Sequence, residues 1–149
     1  MRMRHSVADV VDLRFVSEAC GGDVGMMREL LGIFVDQASC LADNMSEALA
    51  QGDYLALAAQ AHKFKSTALS MGMAETADAL KKIEIVAKRL AAGRMGGGVS
   101  VPVKGLSPAL DEWANRNLSD EALRELIDFC KLQSLSAVQE VNRLLHSLL

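Results

Sequence analysis

Apolar residues recur along most of this chain at spacings of three and four, the period of α-helices with one buried face. Leu30, Phe34, Leu41, Met45 and Ala48 form one such seam, with Gln37 close to it. Leu57, Ala61, Phe64, Ala68 and Met71 form a second, while Ala77, Leu80, Ile83, Glu84 and Ala87 lie on or near a third. The longest runs through Leu123, Ile127, Cys130, Ser134, Ala137, Val141, Leu144 and Leu148. Punctuation between the seams agrees with the period. Asp12 to Cys20 can form a short first helix, stopped by Gly21-Gly22. Asp23 is placed to cap a helix reaching about Ala50, and Gly52-Asp53 ends that helix and opens the next. Gly72 suits a helix C-terminus, and Met73 to about Ala92 forms the following helix. Ser119-Asp120-Glu121 caps the last helix and sets two acids at its positive end.

Between the third and last long patterns the chemistry changes. Gly93, Gly96, Gly97, Gly98, Pro102, Gly105 and Pro108 interrupt any regular element, so residues 93–117 read as a long, flexible Gly/Pro-rich connection. One short helix can start at Ser107-Pro108 and carry Leu110 and Trp113, the tryptophan packing against the rest. The expected fold is all-α: an up-down four-helix bundle with a short N-terminal helix, forming one domain over residues 1–149. Half the residues are hydrophobic but only 4% are aromatic, which favours helix-on-helix packing over a sheet.

One residue stands outside this pattern of burial. At about 100° per residue, His62 lies roughly 130° from the centre of its helix's apolar stripe. Lys65 follows one turn on, and Ser66 points outward. Leu55, Ala58, Ala59 and Leu69 flank the histidine where a plain amphipathic helix would carry charge. Small and apolar residues around one reactive side chain suit a surface that another protein covers. From spacing alone, a tolerant alanine-rich helix with an incidental histidine is an equal reading.

The spacing His62, Lys65, Ser66, Gly72 resembles the histidine-containing phosphotransfer (HPt) domain family, whose motif is roughly H-x-x-K-[GS]-x-x-x-x-x-G. Phe64 supplies the hydrophobic residue usual two places after the histidine, and Ser66 stands where glycine is commoner. The resemblance extends upstream to Phe34-Val35-Asp36-Gln37-Ala38 and downstream to Glu84 and Lys88, covering roughly residues 10–91. It implies a phosphorelay intermediate. His62 would accept a phosphoryl group from a receiver-domain aspartate and pass it to another receiver, in response regulators or hybrid histidine kinases. It also implies that Gln37 approaches the histidine and hydrogen-bonds there, and that the magnesium such reactions use sits on the receiver.

The chemistry fits those residue types. Histidine ordinarily titrates near neutrality, so a neutral imidazole nitrogen is an available nucleophile. Lys65 can set an ammonium beside phosphoryl oxygens, and Lys63, about 100° round the helix, has a weaker claim to the same role. Ser66 and Gly72 would contribute by being small, completing a docking face with Leu55, Ala58, Ala59 and Leu69. A non-catalytic four-helix docking module and a kinase-like dimerisation bundle are the alternatives; the single-chain helix count favours a monomer.

Other classes find little support. A net charge of −3 speaks against nucleic-acid binding. The basic run Lys81, Lys82, Lys88 and Arg89, interrupted by Glu84, reads as the solvated side of a helix. No kinase glycine loop or H-R-D motif occurs, so no intrinsic kinase activity is expected. His5, His62 and His146 are scattered without Glu-x-x-His spacing, so no intrinsic metal is assigned. Cys20, Cys40 and Cys130 are odd in number and unpaired in spacing, as reduced thiols are. Met1-Arg2-Met3-Arg4-His5 lacks a following signal-like apolar stretch, and no segment reaches bilayer length. A cytoplasmic protein without membrane contact is expected.

Overall fold

The computed structural model describes residues 10–94 and 106–147. They form six helices: α1 (Leu13–Ala19), α2 (Val24–Ala50), α3 (Tyr54–Ser70), α4 (Ala74–Arg94), α5 (Pro108–Arg116) and α6 (Asp120–Ser147). No strand occurs among the described residues. Helix starts follow the expected caps. Asp12, Asp23 and Asp53 each accept the backbone N–H three residues on, from Phe15, Met26 and Ala56. Ser107 and Ser119 do the same for Leu110 and Ala122. Each such bond satisfies a donor that the first helical turn leaves free.

Short turns at Gln51–Asp53 and Met71–Met73 force α2, α3 and α4 to run antiparallel in succession. The α3–α4 pair has the most extensive contact; α2 packs on α3 and α6, and α4 also packs on α6. Leu31, Phe34, Met45, Leu57, Phe64, Met71, Leu80, Ile83, Leu123 and Ile127 are fully buried at these seams. Each large side chain withdrawn from water contributes about 1.5–3 kcal/mol. Alanines at 61, 68, 77 and 87 keep side-chain bulk low between α3 and its neighbours.

Three features depart from expectation. First, α4 continues to Arg94, slightly past the expected end near Ala92, while α5 occupies Pro108–Arg116, where the short helix started by Ser107-Pro108 is expected. Gly96, Gly97, Gly98, Pro102 and Gly105 lie outside the described residues. Second, Ile83, Glu84, Ile85, Val86 and Ala87 are all buried in succession, because α3, α6 and α5 cover α4 from different sides. Third, the basic run on α4 is not a solvated face. Arg89 donates to the Asp111 carboxylate and backbone carbonyl and, at 2.7 Å, to Asn115 Oδ1, clasping α5. Lys82 pairs with Asp78 at 3.4 Å and lies 5.1 Å above the Trp113 ring. Trp113 is half-buried against the core, as expected.

The segment before α1 is fastened at both ends of its short span. Val10 and Val11 N–H groups both donate to Glu140 Oε1 of α6 at 3.1 Å, and Asp12 N–H donates to Met71 O at 3.1 Å. Cys20 and Cys130 are buried and Cys40 is exposed, all three as free thiols. Burial pushes the Cys130 thiol up to about 12, which leaves it unreactive. No described helix is long and apolar enough to cross a membrane.

Candidate functional site

The His62 side chain is 63% exposed on the outer face of α3, as the stripe geometry predicts. Its ring is nevertheless held. Nδ1 lies 3.3 Å from the carboxylate of Glu84, which reaches across from α4 and is itself only 5% exposed. An ionised carboxylate can only accept, so the imidazole nitrogen facing it carries the hydrogen. In the neutral ring this contact favours the tautomer with hydrogen on Nδ1, in which the Nε2 lone pair is available.

Glu84 is a buried acid with three partners. Lys88, one turn further along α4, donates to Oε2 at 2.9 Å, and Lys65 of α3 donates to Oε1 at 3.4 Å. Burial pushes the Glu84 carboxyl up, but the hydrogen bonds from Lys88 and His62 and the charges of Lys65 and Lys88 bring it below the ordinary carboxylate value. The carboxylate is therefore charged at neutral pH. A buried acid on an otherwise apolar helix face persists only when so compensated, since an unpaired one would cost several kcal/mol, roughly 3–5 when a partner is removed.

The remaining expected residues divide. Lys65 is half-buried beside the histidine, three residues on. Lys63 is exposed and makes no ion pair with Glu84. Gln37 is exposed on α2, and no hydrogen bond joins it to His62; Glu84 occupies that role. Leu55 and Leu69, seven residues either side of His62, are 51% and 53% exposed, and Ala59 and Ser66 are exposed between them.

One docking residue requires correction, and Gly72 has a structural role besides. Ala58 is buried, only 3% exposed, because α3 is covered by neighbours on more than one side and a methyl does not reach past them. Gly72 is structural. It ends α3 with φ +67, and Met73 N–H closes the turn onto Ala68 O at 2.9 Å.

Sequence reasoning missed one extension of the exposed face. Leu69 also lines an apolar groove of about 610 Å³, together with Phe15 and Ala19 of α1 and Met26, Leu30 and Ile33 of α2. Phe15, Met26 and Ile33 are each about half exposed. Their spacing marks them only as helix residues; the approach of α1 to α2 and α3 gathers them. Among the described residues no group of three or more His, Cys, Asp or Glu side chains could hold a metal ion.

Comparison with curated proteins gives no match, and comparison with solved structures gives none either. The family comparison does. The Hpt domain model matches residues 29–115, more than half of the chain, and spans α2 to α5 with the histidine, both lysines and Glu84 inside it. Histidine-based phosphotransfer in two-component signalling, with receiver domains as partners, is the work of that family. An exposed histidine on a rigid helix, its ring proton held by a buried acid and lysines at hand, belongs to a chain of the Hpt domain family.

Proposed function

We propose that His62 accepts a phosphoryl group on Nε2 from a receiver aspartate and passes it to the aspartate of a second receiver. The observation that carries this reading is the His62–Glu84 contact: Nδ1 of the exposed ring lies 3.3 Å from a buried carboxylate, which anchors that side of the imidazole. Phosphoryl transfer depends on positioning and charge stabilisation. Glu84 supplies the first by fixing the ring, and Lys65 supplies the second from one turn away. Lys63 is close enough in sequence to add a weaker charge, and Gln37 can serve only by moving toward the bound group.

The receiver docks over Leu55, Ala59, Ser66 and Leu69, and its contact extends into the groove beside Phe15 and Ile33. Exposed apolar groups around the nucleophile let a partner exclude water from the reacting atoms. Magnesium belongs to the receiver in this scheme, and this chain brings its lysines. The scaffold is an up-down bundle of α2, α3, α4 and α6, forming with α1 and α5 one cytoplasmic, monomeric domain.

The test is label uptake from phosphorylated receivers by the wild type and by His62→Gln. The variant should keep its helicity, since an exposed side chain carries little packing. It should take up no label, and the wild-type label should be acid-labile and base-stable, as a phosphoramidate is. Retained uptake by His62→Gln would refute the assignment. Receiver binding without any uptake by the wild type would instead favour a docking module.

A further inference from the structure

Leu132 and Leu135 are the most exposed large apolar side chains among the described residues, at 66% and 57%. Both sit on the outer face of α6, away from the seam that packs on α2 and α4. Neither belongs to the histidine face, which is built on α3. An apolar groove of about 250 Å³ runs beside them, where Leu135 and Val138 meet Val35 and Ala42 of α2.

The exposed positions of α6 continue this strip in both directions at spacings of four and three. Glu121, Glu125 and Asp128 precede the leucines, and Gln139, Asn142 and His146 follow them, all exposed. Such spacing lays them along one stripe, the geometry of a seam between two helices. The stripe is divided by charge: acids occupy its first part only, and Arg143 stands beside its far end.

We propose that this stripe is a contact between two copies of the chain, α6 packing antiparallel on α6. Setting Leu132 against Leu135 of the second copy fixes the register. Asp128 then faces Gln139, Glu125 faces Asn142, and Glu121 faces His146 of the other copy. Every acid meets a group that can donate a hydrogen bond. The flanking cations stay apart, since Arg124 falls beside Leu145 and Lys131 beside Val138 of the other copy. A parallel pair would instead oppose each acid to itself, which like charge disfavours. The antiparallel pattern is self-complementary, as a two-fold contact requires.

Size sets the strength. At the helical rise the stripe is roughly 38 Å long and, with the groove, on the order of 15 Å wide, so a pair buries about 1,100 Å², in the range of transient complexes and short of the roughly 1,600 Å² of stable ones. The bundle is therefore single in dilute solution and pairs as its concentration rises. Because α6 packs on α2 and α4 while His62 lies on the outer face of α3, pairing leaves both histidine faces open. A pair can hold two receivers at once, which raises its avidity for a partner that is itself paired. The contact does not depend on what His62 does.

Sedimentation equilibrium of the full chain, over a series from micromolar to millimolar, reads the pairing. The apparent mass of the wild type should climb from one chain toward two. Leu132→Glu sets a charge into the apolar middle and should weaken pairing roughly tenfold or more. Helicity and receiver binding of the dilute variant should be unchanged. A wild type that stays at one chain throughout, or a pair that Leu132→Glu does not weaken, would overturn the proposal. Loss of receiver binding in Leu132→Glu would make the stripe part of the receiver contact and overturn it equally. Cross-linking reads the register. With the exposed Cys40 replaced by serine, Asp128→Cys mixed with Gln139→Cys should give the mixed disulfide ahead of either self-linked product. Self-linked Asp128→Cys as the main product would mean a parallel contact and overturn the antiparallel one. If Leu132→Glu does not fold, Leu135→Glu and the cross-linking decide.

Discussion

Asp12 and Gly72 meet so closely that a Cβ added to the glycine would stand 2.6 Å from Asp12 Cβ. The N-cap of α1 thus rests directly on the turn that ends the histidine helix. Phe15 closes the same site, with two side-chain atoms 3.3 Å from the added carbon.

Gly72→Ala should therefore destabilise the fold, by collision and by the positive φ, on the order of 1–3 kcal/mol. Urea unfolding measures it. Transfer by the fraction that remains folded should be nearly normal, because the glycine supports α1 and takes no part in the chemistry. A fully stable Gly72→Ala protein with impaired receiver binding would return this residue to the docking face.

In the proposed mechanism Lys65 stabilises the phosphoryl group, so Lys65→Ala should remove a charge-assisted contact worth about 1–3 kcal/mol. Single-turnover transfer should slow roughly tenfold or more. Lys63→Ala and Gln37→Ala, both on exposed side chains outside the Glu84 cluster, should do less. Equal rates for all three variants would remove the special role of Lys65.

Ser66→Arg puts a long cation into the exposed strip between His62 and Leu69. Titration with a receiver should show weakened binding. Helicity should be unchanged and stability should shift by less than about 0.5 kcal/mol, as for most surface substitutions. Unaltered affinity would move the docking surface elsewhere.

Acidification should expose the Glu84 cluster. The folded carboxyl titrates below its ordinary value of 4.5, so its stabilising contribution is complete above that pH and is lost as pH falls through the lower folded value. Urea unfolding of the wild type and of Glu84→Gln across an acid series should show the wild-type advantage shrinking below pH 4.5. An advantage constant throughout that range would mean that the carboxylate charge does not stabilise the fold.

Helical period was enough to find the four long helices and to turn His62 outward, because both are local angular properties of one element, while cap and stop residues marked the two short helices. Depth was not legible. Ala58 shares the outward side of α3 with Ala59, yet it is buried because adjacent helices overhang it. Partner choice was not legible either. Glu84 reads from sequence as a polar residue near a packing seam, and the three groups that justify it arrive partly from another helix. Family resemblance pointed to Gln37 as the hydrogen-bonding neighbour, whereas α4 supplies it. For Lys88 and Arg89, adjacency in sequence concealed opposite errands, one toward the histidine and one toward α5.

The Glu140 clasp on Val10 and Val11 has a consequence for how this surface is made. Those contacts join residues about 130 positions apart, so they close a loop almost as long as the chain. During synthesis the histidine helix and its acid partner can pair while α6 is still unmade. The segment that leads into α1 gains its clasp only when the last helix arrives. The His62–Glu84 pair is therefore assembled from neighbours in sequence, whereas the fastening of the segment before α1 joins distant ones.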